Sequence, residues 1–507
     1  MNQNLPPERN KEIFDVVVVG GGVNGTAALR ELAGAGYKVL LVEAEDLGSG
    51  ASGRSSRMLH CGLRYLEGPD PIRNAIRHPI RFARALHMAR DAMQARAELA
   101  QDETVGTRAI ELSFPIWRDG PFPRWQLDAG LRLLRLIGPS GVPLDVKSRD
   151  ADAAGTHPIG RHLRDQDALR GMVSFREYLF TEPERLCIDN ALDAELHGAE
   201  LRLMTRAELR GRDVAGLWRL GLEGPGSITE ARALVVLNLA GSWADGLADF
   251  GKRLVRGTKG AHIIVRLPEG FADRGIATMH RGGHPFYGLP LGQDRFYFGP
   301  TETPFEGDAR NVHADRDDLA FLLGEANHLL PGLGLTEKHV EQCWAGVRPL
   351  TEDASRPMGA RERRVHDLAP QGFENVLAMT AGPVMSLRSA GRRMLSEVVA
   401  RIGPPKARAT ISLGQTTQAP TDAEALAVTH EHAPDLYAVL ARRTGAVWSG
   451  MVSREDAART ADTLAPLFGW SAVRKASEIE AFLARQETEF CVPRHNRKEP
   501  DQPAMQP

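Results

Sequence analysis

The feature that most constrains this chain stands close to its start. Phe14 to Val19 is a short β-branched apolar run that breaks into Gly20-Gly21-Gly22-Val23-Asn24-Gly25, continues as a helical stretch from Thr26 to Gly34, and leads to a second apolar run, Tyr37 to Val42, ending in Glu43. Strand, glycine turn, helix and strand at this spacing demand a right-handed parallel crossover, the opening unit of a dinucleotide-binding fold. Gly20 permits the tight turn, Gly22 lets a pyrophosphate approach backbone N–H groups, and Gly25 lets helix and strand pack closely, while the helix N-terminus presents the positive end of its dipole. Glu43 is placed to accept hydrogen bonds from both ribose hydroxyls of an adenosine. Its carboxylate repels a 2′-phosphate, which disfavours NADP.

The rest of the chain is large enough for more than this unit. Its 507 residues suggest three domains, at roughly 150 residues each. A net charge of −2 carries no basic excess, so nucleic acid is not an expected partner. Cys61, Cys187, Cys343 and Cys491 form no CxxC pair, so neither zinc nor a disulfide framework is indicated and a reducing compartment fits. The N-terminal MNQNLPPERNKE lacks the apolar core of a secretory signal, and no apolar run approaches the length of a membrane span.

Residues 70 to 110 read as helices, whereas 113 to 175, rich in Pro, Gly, Trp and Arg, show no clear period. Arg232 to Leu239 reads as a buried strand stopping at Ala240-Gly241-Ser242-Trp243, and Asn375 to Met379 as another stopping at Thr380-Ala381-Gly382. Such small-residue strand ends are where ligands dock in doubly wound sheets. The small polar loop Asp46 to Ser56 has room to line the rest of an extended cofactor such as a flavin. His262 to Leu267, Pro285 to Leu291 and Arg295 to Gly299 read as an antiparallel sheet in a different domain. Gly403-Pro404-Pro405 is the strongest linker signal, followed beyond Thr421 by helical sequence and from Pro493 by a polar tail.

Three runs, Asp15 to Gly25, Ser55-Ser56-Arg57-Met58-Leu59-His60-Cys61-Gly62-Leu63-Arg64-Tyr65-Leu66-Glu67, and Gly346-Val347-Arg348-Pro349-Leu350, resemble the FAD-dependent glycerol-3-phosphate dehydrogenase family. Arg256 to His262 resembles the segment that opens that family's substrate sheet, and Arg442-Arg443-Thr444 with Gly469-Trp470 its helical C-terminal domain, so the likeness covers most of residues 14 to 485. The resemblance implies an α/β (α+β overall) chain: an FAD-binding Rossmann-like domain in parts 14–110, 176–255 and 346–405, a substrate or cap region 111–175, an inserted antiparallel substrate sheet 256–345, a helical domain 410–492 and a tail 493–507. It implies a flavin enzyme oxidising a secondary alcohol of a small phosphorylated polyol, passing electrons to quinone, cytoplasmic or peripheral on the cytoplasmic membrane face. An oligomer is compatible with it.

The resemblance also assigns residues. Cofactor contacts are expected from Gly20, Gly22, Asn24, Gly25 and Glu43, from Ser55, Ser56, His60 and Gly62, and from Ala240, Gly241 and Gly382. Arg64 and Arg348 match the family's substrate-phosphate ligands, a role suited to the planar, permanently charged guanidinium. Tyr65, Lys259 and Arg388 are further substrate candidates; Arg348 is also a candidate for catalysis. Taking the hydroxyl proton requires a base, for which His262 is preferred over His60 because it opens the substrate sheet. His60 is expected to bond backbone or flavin, Trp243 to pack in the core, and Cys61 to act as a small buried hydrophobe. The arginine-rich stretch Arg73 to Arg96 reads either as a solvated face or as a surface for anionic lipid.

One departure bears on substrate. The family's Gly-Gly-Lys-Leu-Thr-Thr-Tyr-Arg is here Ala381-Gly382-Pro383-Val384-Met385-Ser386-Leu387-Arg388, so a lysine, two threonines and a tyrosine are changed. A tetritol phosphate, such as an erythritol phosphate, is therefore weighed beside glycerol 3-phosphate. Two rivals stay open: an amine or amino-acid oxidase using oxygen, with arginines holding a carboxylate, and a non-catalytic flavin-binding protein.

Overall fold

In the computed structural model, residues 12–63, 77–120, 123–139, 141–292, 294–405 and 422–493 are described. Arg64, Tyr65, residues 73–76 of the arginine-rich stretch and residues 494–507 lie outside them. The first sheet is built on β1 (Glu12–Val19), which is followed by helix α1 (Val23–Ala35) and β2 (Val39–Val42). β1 lies between β2 and the strand Ser227–Asn238, parallel to both, with Val16 level with Val39 and Val235. Val376–Thr380 extends the parallel set on one side and Glu200–Arg202 on the other, while Arg364–Asp367 closes the edge antiparallel. Every residue of β2 is buried, as a sheet covered on both faces requires. The domain is discontinuous, and its three parallel strand ends, at Gly20, Leu239 and Ala381, converge on one edge.

The second sheet is larger and mixed. Val255–Arg266 pairs antiparallel with Val340–Thr351 along nearly its whole length, and with Arg295–Gly299 on its other side. The sheet continues through Pro285–Leu291 and Arg274–Met279 into Thr107–Trp117 and Leu169–Phe180. The last two pair from Thr107 opposite Phe180 to Trp117 opposite Leu169. Both ends of the stretch 113–175 are thus strands of the second sheet, with Lys147–Arg149 pairing on Leu169–Phe180 and the helix Arg124–Ile137 between them; the one parallel join, Arg274–Met279 with Thr107–Trp117, departs from the antiparallel expectation. Thr107–Trp117 is buried almost continuously toward its end, which erases the alternation that marks a half-exposed strand.

The C-terminal helices, Ala423–Thr429, Arg454–Phe468 and Ala472–Phe490, share a core with this sheet. Trp344 of the sheet meets Trp448 edge to face at 5.4 Å, and Trp448 meets Phe490 at 5.0 Å. They are packed into the molecule and do not form a detached appendage.

Candidate functional site

The turn after β1 is fixed by close backbone approaches. Gly20 has φ 112°, and a Cβ there would lie 2.5 Å from the Leu239 carbonyl oxygen; a Cβ on Gly25 would lie 1.8 Å from that of Gly20. Val23 N–H, in the first turn of α1, donates to Ser52 Oγ at 3.1 Å, tying the helix start to the Asp46–Ser56 loop. Glu43 accepts Gly21 N–H at 2.6 Å and Glu45 N–H at 2.8 Å. Burial pushes its carboxyl up to about 7, although both N–H groups act the other way. A cavity of about 390 Å³ opens here, bordered by Gly20, Gly22, Asn24, Glu43, Ala240, Gly241 and Gly382. The glycine cradle, helix start and acidic strand end fit the adenosine diphosphate half of FAD.

A second cavity of about 200 Å³ shares Ala51, Pro349, Ala381, Gly382 and Val384 with the first, so an extended cofactor can reach from one into the other. Ser55, Ser56 and His60 border it, as do His262, Tyr287 and Arg348. Gly62 borders neither cavity. Its φ is 88°, and a Cβ would come within 3.0 Å of Ala89 Cα in the helix Pro79–Ala100, so it serves packing.

Strand parity decides which residues of Val255–Arg266 face this cavity. Gly260 and His262 do, and a Cβ on Gly260 would strike the Arg348 guanidinium at 2.3 Å, so glycine lets that side chain lie across the strand. Arg348 Nη1 donates to the Lys259 carbonyl at 3.3 Å. The Lys259 side chain points the opposite way, to the carboxylates of Asp315 and Asp318, the latter at 2.8 Å. It is therefore not at the expected substrate site. Arg388 is not there either. It lies in the first turn of the helix Leu387–Ile402, pairs with Asp102 and donates to the Glu98 carbonyl at 3.2 Å, at the C-terminal end of Pro79–Ala100.

His262 is 2% exposed, stacked on Trp344 with centroids 4.4 Å apart and edge-on to Tyr297 at 5.8 Å. Neither ring nitrogen has a hydrogen-bond partner among the described residues. Burial, reinforced by the Arg348 charge, holds its pKa well below the ordinary histidine value and keeps the ring neutral. Cys61, beside His60, is fully buried, and its N–H donates to Glu177 Oε1 at 2.7 Å.

Three arginines of the smaller cavity escaped the sequence reading. Arg54 pairs with Glu489 at 2.9 Å, and Arg361 with Glu302. Arg57 is 3% exposed, has φ 58°, lies 3.7 Å from Glu184 and stacks over Trp448 at 4.0 Å. Arg57 stood inside a quoted motif, but neither its burial nor its backbone is a local signal; Arg361 lies in an arginine-rich stretch without period. Trp243 also departs from expectation: it borders the larger cavity, packs on Gly50 and donates to Asp308 Oδ1 at 2.9 Å. Among the described residues no cluster is arranged to hold a metal ion.

Residues 15–396 match the model of the FAD dependent oxidoreductase family, DAO. A glycerol-3-phosphate dehydrogenase of Pseudomonas aeruginosa is 30% identical over 456 residues, spanning 86% of this chain and 81% of the relative. The solved glycerol-3-phosphate dehydrogenase of Bacillus halodurans, complexed with FAD, superposes with a TM-score of 0.71 at 17% identity, covering 96% of this chain and 97% of that one. A glycine oxidase from Geobacillus kaustophilus shares the fold over 80% of this chain and 99% of its own, with a TM-score of 0.54 at 23% identity.

Proposed function

The chain belongs to the FAD-dependent oxidoreductases and, within them, to the glycerol-3-phosphate dehydrogenase family, and on that premise we propose that it oxidises the secondary alcohol of a small polyol phosphate, a tetritol phosphate in preference to glycerol 3-phosphate. The observation that carries this reading is the lining of the smaller cavity: among the described residues Arg54, Arg57, Arg348 and Arg361 border it with His60 and His262 and no carboxylate does, while Glu489, Glu184 and Glu302 stand behind Arg54, Arg57 and Arg361. A phosphate dianion is stabilised by such a wall through paired, charge-assisted hydrogen bonds. An amino acid's carboxylate would be held by the same arginines, so the preference for a phosphorylated substrate over an amino acid rests on the likeness to a glycerol-3-phosphate dehydrogenase.

FAD, when bound, supplies the hydride acceptor. The protein's part is to hold and orient. Arg348 and Arg361 anchor the phosphate, and His262, neutral and bordering the cavity, takes the hydroxyl proton on a ring nitrogen. At the departure from the family pattern, Pro383 and Val384 line the wall where a lysine and leucine are usual, so the chain has less charge and length there. That supports a substrate longer than three carbons.

Quinone as acceptor rests on the family resemblance, as does a place at the cytoplasmic membrane face. No helix among the described residues is long and apolar enough to cross a membrane. Peripheral contact is supported by the helix Arg124–Ile137, where Trp125 and Leu136 are exposed beside Arg132 and Arg135. A dye-reduction assay tests the substrate assignment: tetritol phosphates should turn over faster than glycerol 3-phosphate, and equal or faster turnover of the latter overturns it.

A further inference from the structure

Asp308 to Arg310 form a short strap that comes from the substrate sheet's side of the molecule yet borders the cofactor cavity of the other domain. Asp308 organises it, accepting the Arg310 N–H at 3.0 Å on Oδ1 and the Arg310 side chain at 2.9 Å on Oδ2. Trp243, in the helical turn Gly241–Gly246 that follows Ser227–Asn238, donates its indole N–H to Asp308, and Arg54 donates to the Ala309 carbonyl at 3.3 Å. The strap is thereby tied to two separate segments of the flavin domain. Arg310 Nε lies 3.9 Å from Glu45 Oε1, and its side chain is 50% exposed.

Among the described residues, the cationic side chains bordering the larger cavity are Arg206 and Arg310. Arg206 follows Thr205, whose N–H bonds the Glu43 carbonyl at 2.8 Å, so it stands at the ribose end. Arg310 lies between Glu45, whose N–H bonds the Glu43 carboxylate, and, through Asp308, Trp243, which rests on Gly50 of the loop whose Ser52 hydroxyl receives the first turn of α1. That is the end where a dinucleotide's diphosphate meets the helix N-terminus. Glu43 and Glu45 border the same cavity, so a bound diphosphate adds negative charge to an already acidic wall. From this arrangement we propose that Arg310 is the side chain that neutralises the FAD diphosphate, turning from the carboxylates of Asp308 and Glu45 to the phosphate oxygens when the cofactor binds. The substrate-sheet side of the molecule thus holds the cofactor of the flavin domain. The inference rests on FAD occupying the larger cavity.

The test is FAD titration of the full-length chain stripped of flavin, followed by flavin fluorescence at several salt concentrations. Arg310→Gln should bind FAD at least about tenfold more weakly, with a shallower loss of affinity as salt rises, because one ion contact is gone. Arg310→Lys should recover most of the affinity and the salt dependence. The thermal midpoint of the flavin-free Arg310→Gln protein should equal that of the unsubstituted chain. Affinity within twofold of the unsubstituted chain with an unchanged salt dependence overturns the proposal, and so does a lysine variant no better than glutamine. Failure of the unsubstituted chain to bind FAD would instead overturn the cofactor's placement, a distinguishable result.

Discussion

The buried carboxylate of Asp46 and the guanidinium of Arg443, 397 positions apart in the chain, are joined by a 2.8 Å hydrogen bond from Nη2, and Arg442 Nε meets the same carboxylate at 2.5 Å. Burial alone would raise the Asp46 carboxyl, yet the two guanidiniums hold it below the ordinary aspartate value. Asp46 opens the loop that borders both cavities, so the C-terminal region clamps that loop from behind. Asp46→Asn leaves two buried cations short of an acceptor, a change that costs about 3–5 kcal/mol when a buried pair is broken. The expected outcome is a lowered thermal midpoint and flavin lost on dialysis; a variant that keeps both would show the clamp to be dispensable.

His262→Ala should lower kcat/KM by about 10²–10⁴-fold, the usual contribution of a positioned base, while flavin content stays unchanged. Because burial holds the His262 pKa well below its ordinary value, the ring does not gain a proton as pH falls through about 6.5. kcat/KM in the unsubstituted enzyme should therefore show no acid limb there. A variant within threefold of the parent removes His262 from the mechanism.

Cofactor affinity should depend on pH through Glu43. On the proposal that Glu43 holds the ribose, its carboxyl, raised to about 7 by burial, offers both oxygens to the hydroxyls only when ionised, so binding releases a proton wherever the free protein holds one. Affinity should rise with pH up to about 7 and level off above it. Titrations between pH 5.5 and 8.5 check this, and Glu43→Gln should flatten the curve; a dependence that survives in that variant belongs to another group.

Arg361→Gln should raise KM for a polyol phosphate by about 10–150-fold, the equivalent of a charged hydrogen bond worth about 1.5–3 kcal/mol. Oxidation of the unphosphorylated polyol, however slow, should change little. An equal effect on both substrates would point to lost architecture and not to a phosphate contact.

What could be read in advance was local. β1, α1 and β2, with Gly20, Gly22, Gly25 and Glu43, form one contiguous pattern, and the strand ends at Ala240 and Ala381 stood out by residue size. Thr107–Trp117 and Leu169–Phe180 were missed because burial on both faces removes the period and their partners lie far along the chain. Lys259 could have been excluded by counting: it is an odd number of residues from His262 on a strand, so the two point to opposite faces. Arg388 kept its place in a motif but, at the start of a helix, was turned toward Asp102. Arg361 and the Asp46 clamp depend on contacts that no spacing encodes.

The central claim is that flavin and a phosphorylated polyol meet across the arginine-lined cavity. An anaerobic screen of flavin bleaching against polyol phosphates of three to six carbons tests it most directly. Rapid bleaching by a tetritol phosphate, with no bleaching by the matching unphosphorylated polyol or by glycine, is the predicted result. Bleaching by amino acids or amines and by none of the phosphates would contradict it.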